Sequence, residues 1–262
     1  MSSSSRSISA FLLLMAGMLF WGLGCVKIDA TVTVERDGGG TLRAIYGMPT
    51  YIIKQAELAR QMSRSLDLAA GNTNAIPQEL DIPFLYDETL LKAKFAAMAK
   101  EGLILESMKT REQGGWNYVD FTLKFKTIES LVKQSFFSDV GVIFKHLDDK
   151  SCKLTISLPQ VGATPEVAGA VTQESLNKLT PFFNGLRVVT RLVLPGEIRN
   201  NNSMMSDNRR ATWEWDFDKD PQVLARLARD KIIVVFDASD LRMKDFEKPA
   251  GTVSRNYKYL LW

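Results

Sequence analysis

The sequence has few of the residues from which catalytic and metal sites are usually built. Its 262 residues include one histidine and two cysteines, too few for a zinc finger, an iron–sulfur cluster or a histidine-based catalytic centre. Lys and Arg number 33 against 30 Asp and Glu, so the basic surface that nucleic-acid binding requires is lacking. With 45% apolar and 24% charged residues, the composition is that of a folded globular chain. We therefore expect no nucleic-acid partner, no metal and no cofactor.

The amino terminus is strongly apolar. Residues 1–7 contain a single cation, and Ile8–Gly24 carries no charge at all, an order typical of a secretory signal. Cys25 closes this apolar run, directly after the small residue Gly24. The segment resembles the signal of bacterial lipoproteins, in which such a cysteine receives a diacylglyceryl group and becomes the new amino terminus. We expect residues 1–24 to be a signal peptide with a lipobox-like end, and Cys25 to be the lipid attachment site.

Two other outcomes are compatible with this segment. Gly22-Leu23-Gly24 also fits ordinary secretory cleavage, which would release the protein from the membrane. Ile8–Gly24 lies at the lower limit of the length that crosses a bilayer, so an uncleaved anchor is the third alternative. Lipidation is favoured because of the position of Cys25, although the leucine usually found three places before the cysteine stands two places before it. The expected location is the bacterial cell envelope, on the exported side of a membrane.

Alternation of apolar and polar residues predicts that the exported part begins with a β-hairpin. The alternation runs through residues 26–35 and again through 42–48, and Gly38-Gly39-Gly40 between them suits a tight turn. From Pro49 the apolar period becomes helical, with one face formed by Ile52, Ala56, Ala59, Met62, Leu66 and Ala69. A second helix, about 87–100, has an apolar stripe formed by Leu91, Phe95 and Met98.

The remaining elements continue this mixture of hairpins and inserted helices. Further strands are expected at about 103–112, 116–126, 141–148, 151–158, 186–194, 211–218 and 231–237, and further helices at about 127–134, 165–183 and 221–229. Regular βαβ alternation is missing, so the sequence predicts an α+β fold with curved, mainly antiparallel sheets and packed helices. We expect one such domain over 25–240. Residues 244–249 look like a polar connector within a carboxyl-terminal tail, 241–262, that ends in aromatic residues.

Two segments near the carboxyl end form a motif. Leu194-Pro195-Gly196-Glu197-Ile198 is followed by Asn200-Asn201-Asn202, and then by Thr212-Trp213-Glu214-Trp215-Asp216-Phe217. This resembles the closing motif of a family of bacterial surface lipoproteins related to the mycobacterial lipoprotein LppM, in which a strand ending in Pro-Gly precedes an Asn-Gly-type turn and a Trp-bearing strand. The Asn-Gly dipeptide is lacking here. The resemblance covers about 187–236 and the amino terminus, and implies a curved antiparallel sheet packed on helices, with lipid or glycolipid as ligand.

Nucleophilic catalysis by Ser or Cys normally needs a base, and His146 is the only histidine. It is predicted on a strand, without a nucleophile motif, so a structural or surface role is favoured over a catalytic one. Cys152 shares a strand face with Leu154, Ile156 and Leu158, which favours a buried, inert thiol. A reactive thiol would need a nearby cation or helix start.

Two further segments are better explained by turns than by ligand binding. Gly38-Gly39-Gly40 lacks the Lys and Ser/Thr of a phosphate-binding loop and precedes a strand. Residues 216–220 lack the Gly and distal Glu of a calcium-binding EF-hand loop, so a solvated turn leading to a helix capped by Asp220 is favoured. A pair of carboxylates acting as general acid and base stays open among the 30 acidic residues.

Binding is the remaining class of function. Apolar surface is expected from Phe136-Phe137, from Phe182-Phe183 and from the tail end, 257–262, although each also fits ordinary core packing. The leading hypothesis is a non-enzymatic lipoprotein, held at the membrane by its anchor, that binds lipid, glycolipid or another apolar ligand. The alternatives are a structural partner of another envelope protein and a carboxylate-dependent hydrolase. An apolar groove favours the first, an exposed aromatic patch favours the second, and converging carboxylates favour the third.

Overall fold

The structure is a computed structural model that describes residues 26–69, 86–133, 140–157, 184–223, 226 and 230–249. In chain order its strands are β1 (Lys27–Val34), β2 (Gly40–Pro49), β3 (Leu103–Gln113), β4 (Trp116–Phe125), β5 (Gly141–Asp148), β6 (Ser151–Ser157), β7 (Arg187–Val193), β8 (Ile198–Asn201), β9 (Met205–Ser206), β10 (Arg210–Asp216), β11 (Lys231–Asp237) and β12 (Phe246–Lys248). Its helices are α1 (Thr50–Ala69), α2 (Glu88–Met98) and α3 (Ile128–Val132). The predicted α+β class with mainly antiparallel sheets is confirmed.

The predicted hairpin at the start of the exported part is present. β1 and β2 pair antiparallel from Lys27 opposite Gly47 to Val34 opposite Gly40. The turn is closed by the Glu35 N–H, which donates to the Gly39 carbonyl over 2.8 Å. Gly38 has a φ of 85°, a conformation that costs little only for glycine. The glycine run is therefore a turn, as predicted.

The first sheet has seven strands in the order β3-β4-β2-β1-β7-β10-β9, with β1 at its centre. β1 pairs with β7 in parallel, whereas its pairing with β2 is antiparallel. Alternation along a strand gives its buried face but not the direction of its neighbour. The sequence therefore could not predict this parallel pair.

The second sheet has five strands in the order β12-β5-β6-β11-β8. Buried side chains of both sheets and of α2 and α3 belong to one apolar cluster. Its largest fully buried members are Phe125, Phe144, Phe217, Phe236, Leu91, Leu103, Leu154 and Leu192. The part of the chain described here thus packs around a shared core between the two sheets.

The helices partly follow the sequence prediction. α2 buries its predicted stripe of Leu91, Phe95 and Met98, and Asp87 caps it by accepting from the Leu90 N–H over 3.0 Å. α1 differs: Pro49 is the last residue of β2, and Met62, expected in the buried stripe, is 67% exposed. Among the described side chains of α1, only Ile52 is buried. Of the predicted stripe, the described side chains thus confirm burial at Ile52 and contradict it at Met62.

Residues 244–249 do not form the expected polar connector. Phe246–Lys248 is strand β12, which pairs antiparallel with the edge of β5. The Phe246 ring stacks on Phe144 with centroids 5.9 Å apart. A single inward apolar residue between charged ones is enough for a short edge strand, and such a pattern resembles a linker in sequence.

Several predicted features lie outside the described residues. They are the signal peptide and Cys25, the 165–183 helix, both Phe-Phe pairs and the tail end. The domain limits and the lipid attachment site therefore stay predictions. None of the described helices has both the length and the apolar character needed to cross a bilayer.

Candidate functional site

The inner face of the central strand β1 carries an incompletely covered apolar strip. Ile28, Ala30 and Val32 point to this face and are only partly buried, although β1 has neighbours on both sides. Val188 and Thr190 of β7, directly beside Ile28 and Ala30, are also partly buried. By contrast, Leu123 and Leu192 on the same face of the sheet are almost fully buried. We call the five partly buried residues the apolar strip.

Aromatic residues flank the strip on both sides. Tyr46 lies opposite Ile28 and contacts Tyr86 edge-on, with ring centroids 5.4 Å apart. Burial raises the pKa of both phenols, so both stay neutral over the physiological range. On the other side, Trp215 and Trp213 of β10 lie opposite Val188 and Thr190, and both indoles are 4% exposed.

The chemistry of this strip suits an apolar ligand. Its five residues contribute one hydroxyl, that of Thr190, and no charge. From Ile28 to Val32 the strip is about 13 Å long, since a strand rises about 3.3 Å per residue. Apolar surface removed from water stabilises a complex by roughly 25 cal/mol per Å². Ala30, Val32 and Val188 also pack against the apolar core, so the strip is the partly exposed margin of that core.

Two charged surface depressions lie at the other end of the first sheet, beyond Val34. The larger, of about 620 Å³, is lined by Glu35, Arg36, Asp37, Ser239, Asp240, Leu241 and Arg242. The smaller, of about 300 Å³, shares Arg36 and Asp240 and extends to Asp237. Arg36 and Asp240 form an ion pair at 3.2 Å. Neither depression has the apolar lining expected of a lipid site.

A second feature lies on the outer face of the first sheet, where β1 begins. Lys27 Nζ is 4.1 Å from the centroid of the Trp116 ring, and Trp116 stacks on Tyr118 at 6.2 Å with planes 20° apart. The Arg111 guanidinium lies over the other ring, 4.8 Å from the Tyr118 centroid. Gln113 is hydrogen-bonded to Arg111 at 2.5 Å. We call these five residues the aromatic corner.

The backbone of β2 explains why Tyr118 lies flat on the sheet. Gly47 faces Tyr118 across the strand pair, and a Cβ on Gly47 would come within 2.5 Å of Tyr118 Cδ1. Glycine therefore lets the ring cover the backbone, and the ring then supports Arg111. The sequence pattern does not reveal this corner. Its one signal is the polar face of the first hairpin, where Lys27 is predicted outward, whereas the pairing of β4 with β2 was not predictable.

Four other cations of the outer face are held in ion pairs. Arg43 binds Asp120 at 3.1 Å, and Arg191 binds Asp29. Arg187 pairs with Glu214 at 3.1 Å, and Lys219 binds Glu214 at 3.0 Å. The hydrogen bond from Lys219, followed by that from Arg187, lowers the pKa of Glu214. Within the part of the chain that the structure describes, Lys27 and Arg111 have no carboxylate partner, so their charges face solvent over the aromatic rings.

His146 and Cys152 lie opposite each other on β5 and β6. The His146 ring is 2.6 Å from Asp245, whose carboxylate also accepts from the His146 backbone N–H. Cys152 is fully buried, and burial, followed by the charges of Asp245 and Asp148, raises its thiol pKa to about 11. The thiol is therefore protonated near neutral pH, the opposite of what nucleophilic catalysis needs. The buried position predicted for Cys152 and the surface position of His146 are confirmed.

The remaining sequence candidates are structural in the described residues. Asp220 caps the start of the segment after β10 by accepting from the Gln222 N–H over 2.9 Å, as predicted. No group of three His, Cys, Asp or Glu side chains that could hold a metal occurs among the residues described. Among the described residues, the carboxyl groups with a shifted pKa are all shifted downward, namely Glu88, Asp148, Glu214, Asp216, Asp237 and Asp245. A general acid requires the opposite shift.

The Pro-Gly and Asn-rich motif connects the two sheets. The chain leaves β7 at Leu194 and enters β8 at Ile198, crossing from the first sheet to the second. At the crossing, a Cβ on Gly196 would lie 1.8 Å from the Asp237 carbonyl oxygen. Asn202 then binds groups of both sheets, including the Trp213 indole at 3.1 Å. The motif therefore has a structural role in this chain.

No family model matches the sequence, and no curated protein is similar enough to count as a relative. Among solved structures, the chain is similar to the folded domain of the LppM protein of Mycobacterium tuberculosis, determined by NMR. The match covers 82% of this chain and 91% of that domain, with 9% sequence identity and a TM-score of 0.40.

Proposed function

We propose that the protein is a lipid-anchored bacterial envelope lipoprotein whose domain is a non-catalytic module that binds lipid along the apolar strip. The observation that carries this proposal is the partial exposure of Ile28, Ala30 and Val32 on the inner face of a central strand. A central strand normally buries such residues in the core. Here they form an elongated apolar surface between aromatic residues, which suits an acyl chain.

The position of the predicted anchor supports a lipid as the ligand. β1 begins at Lys27, two residues after Cys25. The Val26 carbonyl accepts from the Arg187 N–H over 3.0 Å, so the chain is held to the sheet from this point. A lipid on Cys25 would leave almost no spacer between bilayer and domain. The end of the strip at Ile28 would then lie beside the membrane, within reach of its lipids.

The anchoring is tested by mass spectrometry of the amino terminus of the native protein. We expect a diacyl-modified Cys25, and the Cys25→Ser variant should lack this modification and leave the membrane fraction. An unmodified Cys25, or a chain that begins at Val26, contradicts the proposal.

Lipid binding along the strip is tested by crosslinking with a diazirine-bearing phospholipid in vesicles. We expect crosslinked peptides from β1 and β7, identified by mass spectrometry. Ala30→Phe fills the strip and should abolish these crosslinks. Thr31→Phe is the matched control, because Thr31 lies on the opposite face of the same strand. Equal crosslinking of both variants would contradict binding in the strip.

The exposed face of α1 favours a second candidate, a structural role in an envelope complex. Tyr51, Leu58 and Met62 are 54%, 59% and 67% exposed, and their spacing of seven and four places them on one helix face. An exposed apolar row of this kind is typical of a protein contact. The Leu58→Ser/Met62→Ser variant should lose a specific crosslinked complex in cells and retain the lipid crosslinks of the strip. Retention of the complex would contradict this role.

A further inference from the structure

We infer that the aromatic corner seats in the headgroup layer of the membrane that carries the anchor, with Lys27 and Arg111 facing anionic phospholipid headgroups. This inference rests on the proposed attachment at Cys25. It adds the surface by which the domain meets the membrane and the lipid chemistry that this surface contacts.

The place of the corner in the chain is the first argument. Lys27 is separated from the predicted lipid site by a single residue, and it contacts the Trp116 ring directly. Tyr118 and Arg111 lie in the same row across the sheet as Lys27. In this row Lys27 is opposite Gly47, Gly47 is opposite Tyr118, and Tyr118 is opposite Arg111. An acyl chain on Cys25 enters the bilayer at this end of the sheet. The corner is therefore the part of the outer face nearest to the headgroups.

The composition of the corner is the second argument. Trp and Tyr are favoured at membrane interfaces because they combine an apolar ring with a polar group. Both rings here are partly exposed and held flat, which offers a broad amphipathic surface without a loss of side-chain freedom on binding. A cation close to an anionic membrane surface adds a favourable electrostatic contact to the apolar contact of the rings.

The contrast with the rest of the outer face is the third argument. Arg43, Arg187 and Arg191 are bound to carboxylates of neighbouring strands, which cancels their charge. Lys27 and Arg111 lie over aromatic rings instead, and a ring leaves the positive charge available to an anion. The two corner cations therefore keep their positive charge available at the end of the sheet where the anchor is expected.

Quenching of a fluorophore at single engineered cysteines tests the orientation. The native full-length protein is reconstituted in phosphatidylcholine vesicles containing phosphatidylglycerol and headgroup-nitroxide lipid, and labelled at Gln113→Cys or at Lys126→Cys. Gln113 ends β3 opposite Trp116, the first residue of β4, whereas Lys126 directly follows the last residue of β4. The two labels are therefore about 30 Å apart at 3.3 Å per residue. Cys152 is buried and stays unlabelled, and the thioether to the lipid blocks Cys25. We expect loss of most emission from the Gln113→Cys label and no loss from the Lys126→Cys label.

Charge variants test the lipid chemistry. Lys27→Gln/Arg111→Gln should reduce the quenching at position 113 to the level seen in vesicles without phosphatidylglycerol. The matched control Lys109→Gln/Lys124→Gln removes two exposed cations of the same face outside the corner and should leave the quenching unchanged. An equal effect of both double variants would overturn the role of the corner cations.

The same samples separate failure of this inference from failure of the proposed anchoring. If Cys25 carries the diacyl modification but quenching at the two labels is equal, reversed or absent, the corner orientation alone is overturned. An unmodified Cys25 overturns the anchoring and the corner inference together.

Discussion

The indole N–H of Trp213 donates to the side-chain oxygen of Asn202, 3.1 Å away, and this bond joins the two sheets. Trp213 lies on β10 in the first sheet, whereas Asn202 directly follows β8 in the second. The same oxygen accepts from the Ile233 N–H over 2.9 Å, and the Asn202 amide donates to the Lys231 carbonyl over 2.6 Å. One side chain thus binds three groups on two sheets.

Removal of this side chain is expected to destabilise the protein. Asn202→Ala leaves the nearly buried Trp213 indole without its partner, so the free energy of unfolding should fall by about 1–3 kcal/mol. Urea denaturation followed by tryptophan fluorescence measures the change. Asn200→Ala, two residues earlier and exposed, is the matched control and should stay within about 0.5 kcal/mol of the original protein. Equal effects of the two substitutions would show that the Asn202 contacts are not responsible.

The crossing at Gly196 should not tolerate any side chain. Because a Cβ there would lie 1.8 Å from the Asp237 carbonyl oxygen, Gly196→Ala must displace backbone. We expect a loss of about 3 kcal/mol or more, the upper part of the range for overpacking. Gly114→Ala is the control, since a Cβ there meets nothing within 4 Å and costs only about 1 kcal/mol for its φ of 59°. Thermal denaturation of both variants compares the two costs.

The number of titratable thiols reports on both cysteines. Folded protein should react very slowly with a thiol reagent, because Cys152 is fully buried and its pKa is raised to about 11. In denaturant the lipoprotein should show one thiol per chain, that of Cys152. A second thiol in denaturant would mean that Cys25 is unmodified, and fast reaction before unfolding would contradict the buried position of Cys152.

Asp237 should contribute to loss of stability in acid. Hydrogen bonds from the Ser239 backbone and from Arg199 lower its pKa from 3.8 to about 2. Because the pKa is lower in the folded state, the stabilisation is present above about pH 4 and is lost as the pH falls through the folded value. The urea midpoint of the original protein should therefore fall between neutral pH and about pH 2.5. In the Asp237→Asn variant this fall should be smaller. An unchanged pH profile would contradict this role.

Helices and strands were predictable where the spacing of apolar side chains indicates one buried face. The first hairpin, the stripe of α2 and the burial of Cys152 follow from the period of apolar residues, because each of these segments has one face in the core. The pattern failed at Met62 of α1 and for β12. Met62 is exposed although it belongs to the predicted apolar stripe, and Phe246 packs on Phe144 because a neighbouring strand edge was available.

The sequence by itself determined the longer strands and α2, the scarcity of catalytic residues and the predicted lipid site at Cys25, since composition and periodicity are properties of the chain alone. Only the tertiary structure decided which strands are neighbours. The apolar strip needs β7 beside β1, a pairing between residues 160 positions apart in the chain. The aromatic corner needs β4 beside β2, a pairing between residues 67 to 85 positions apart. Such contacts depend on how the sheets close around their common core, which no local pattern records.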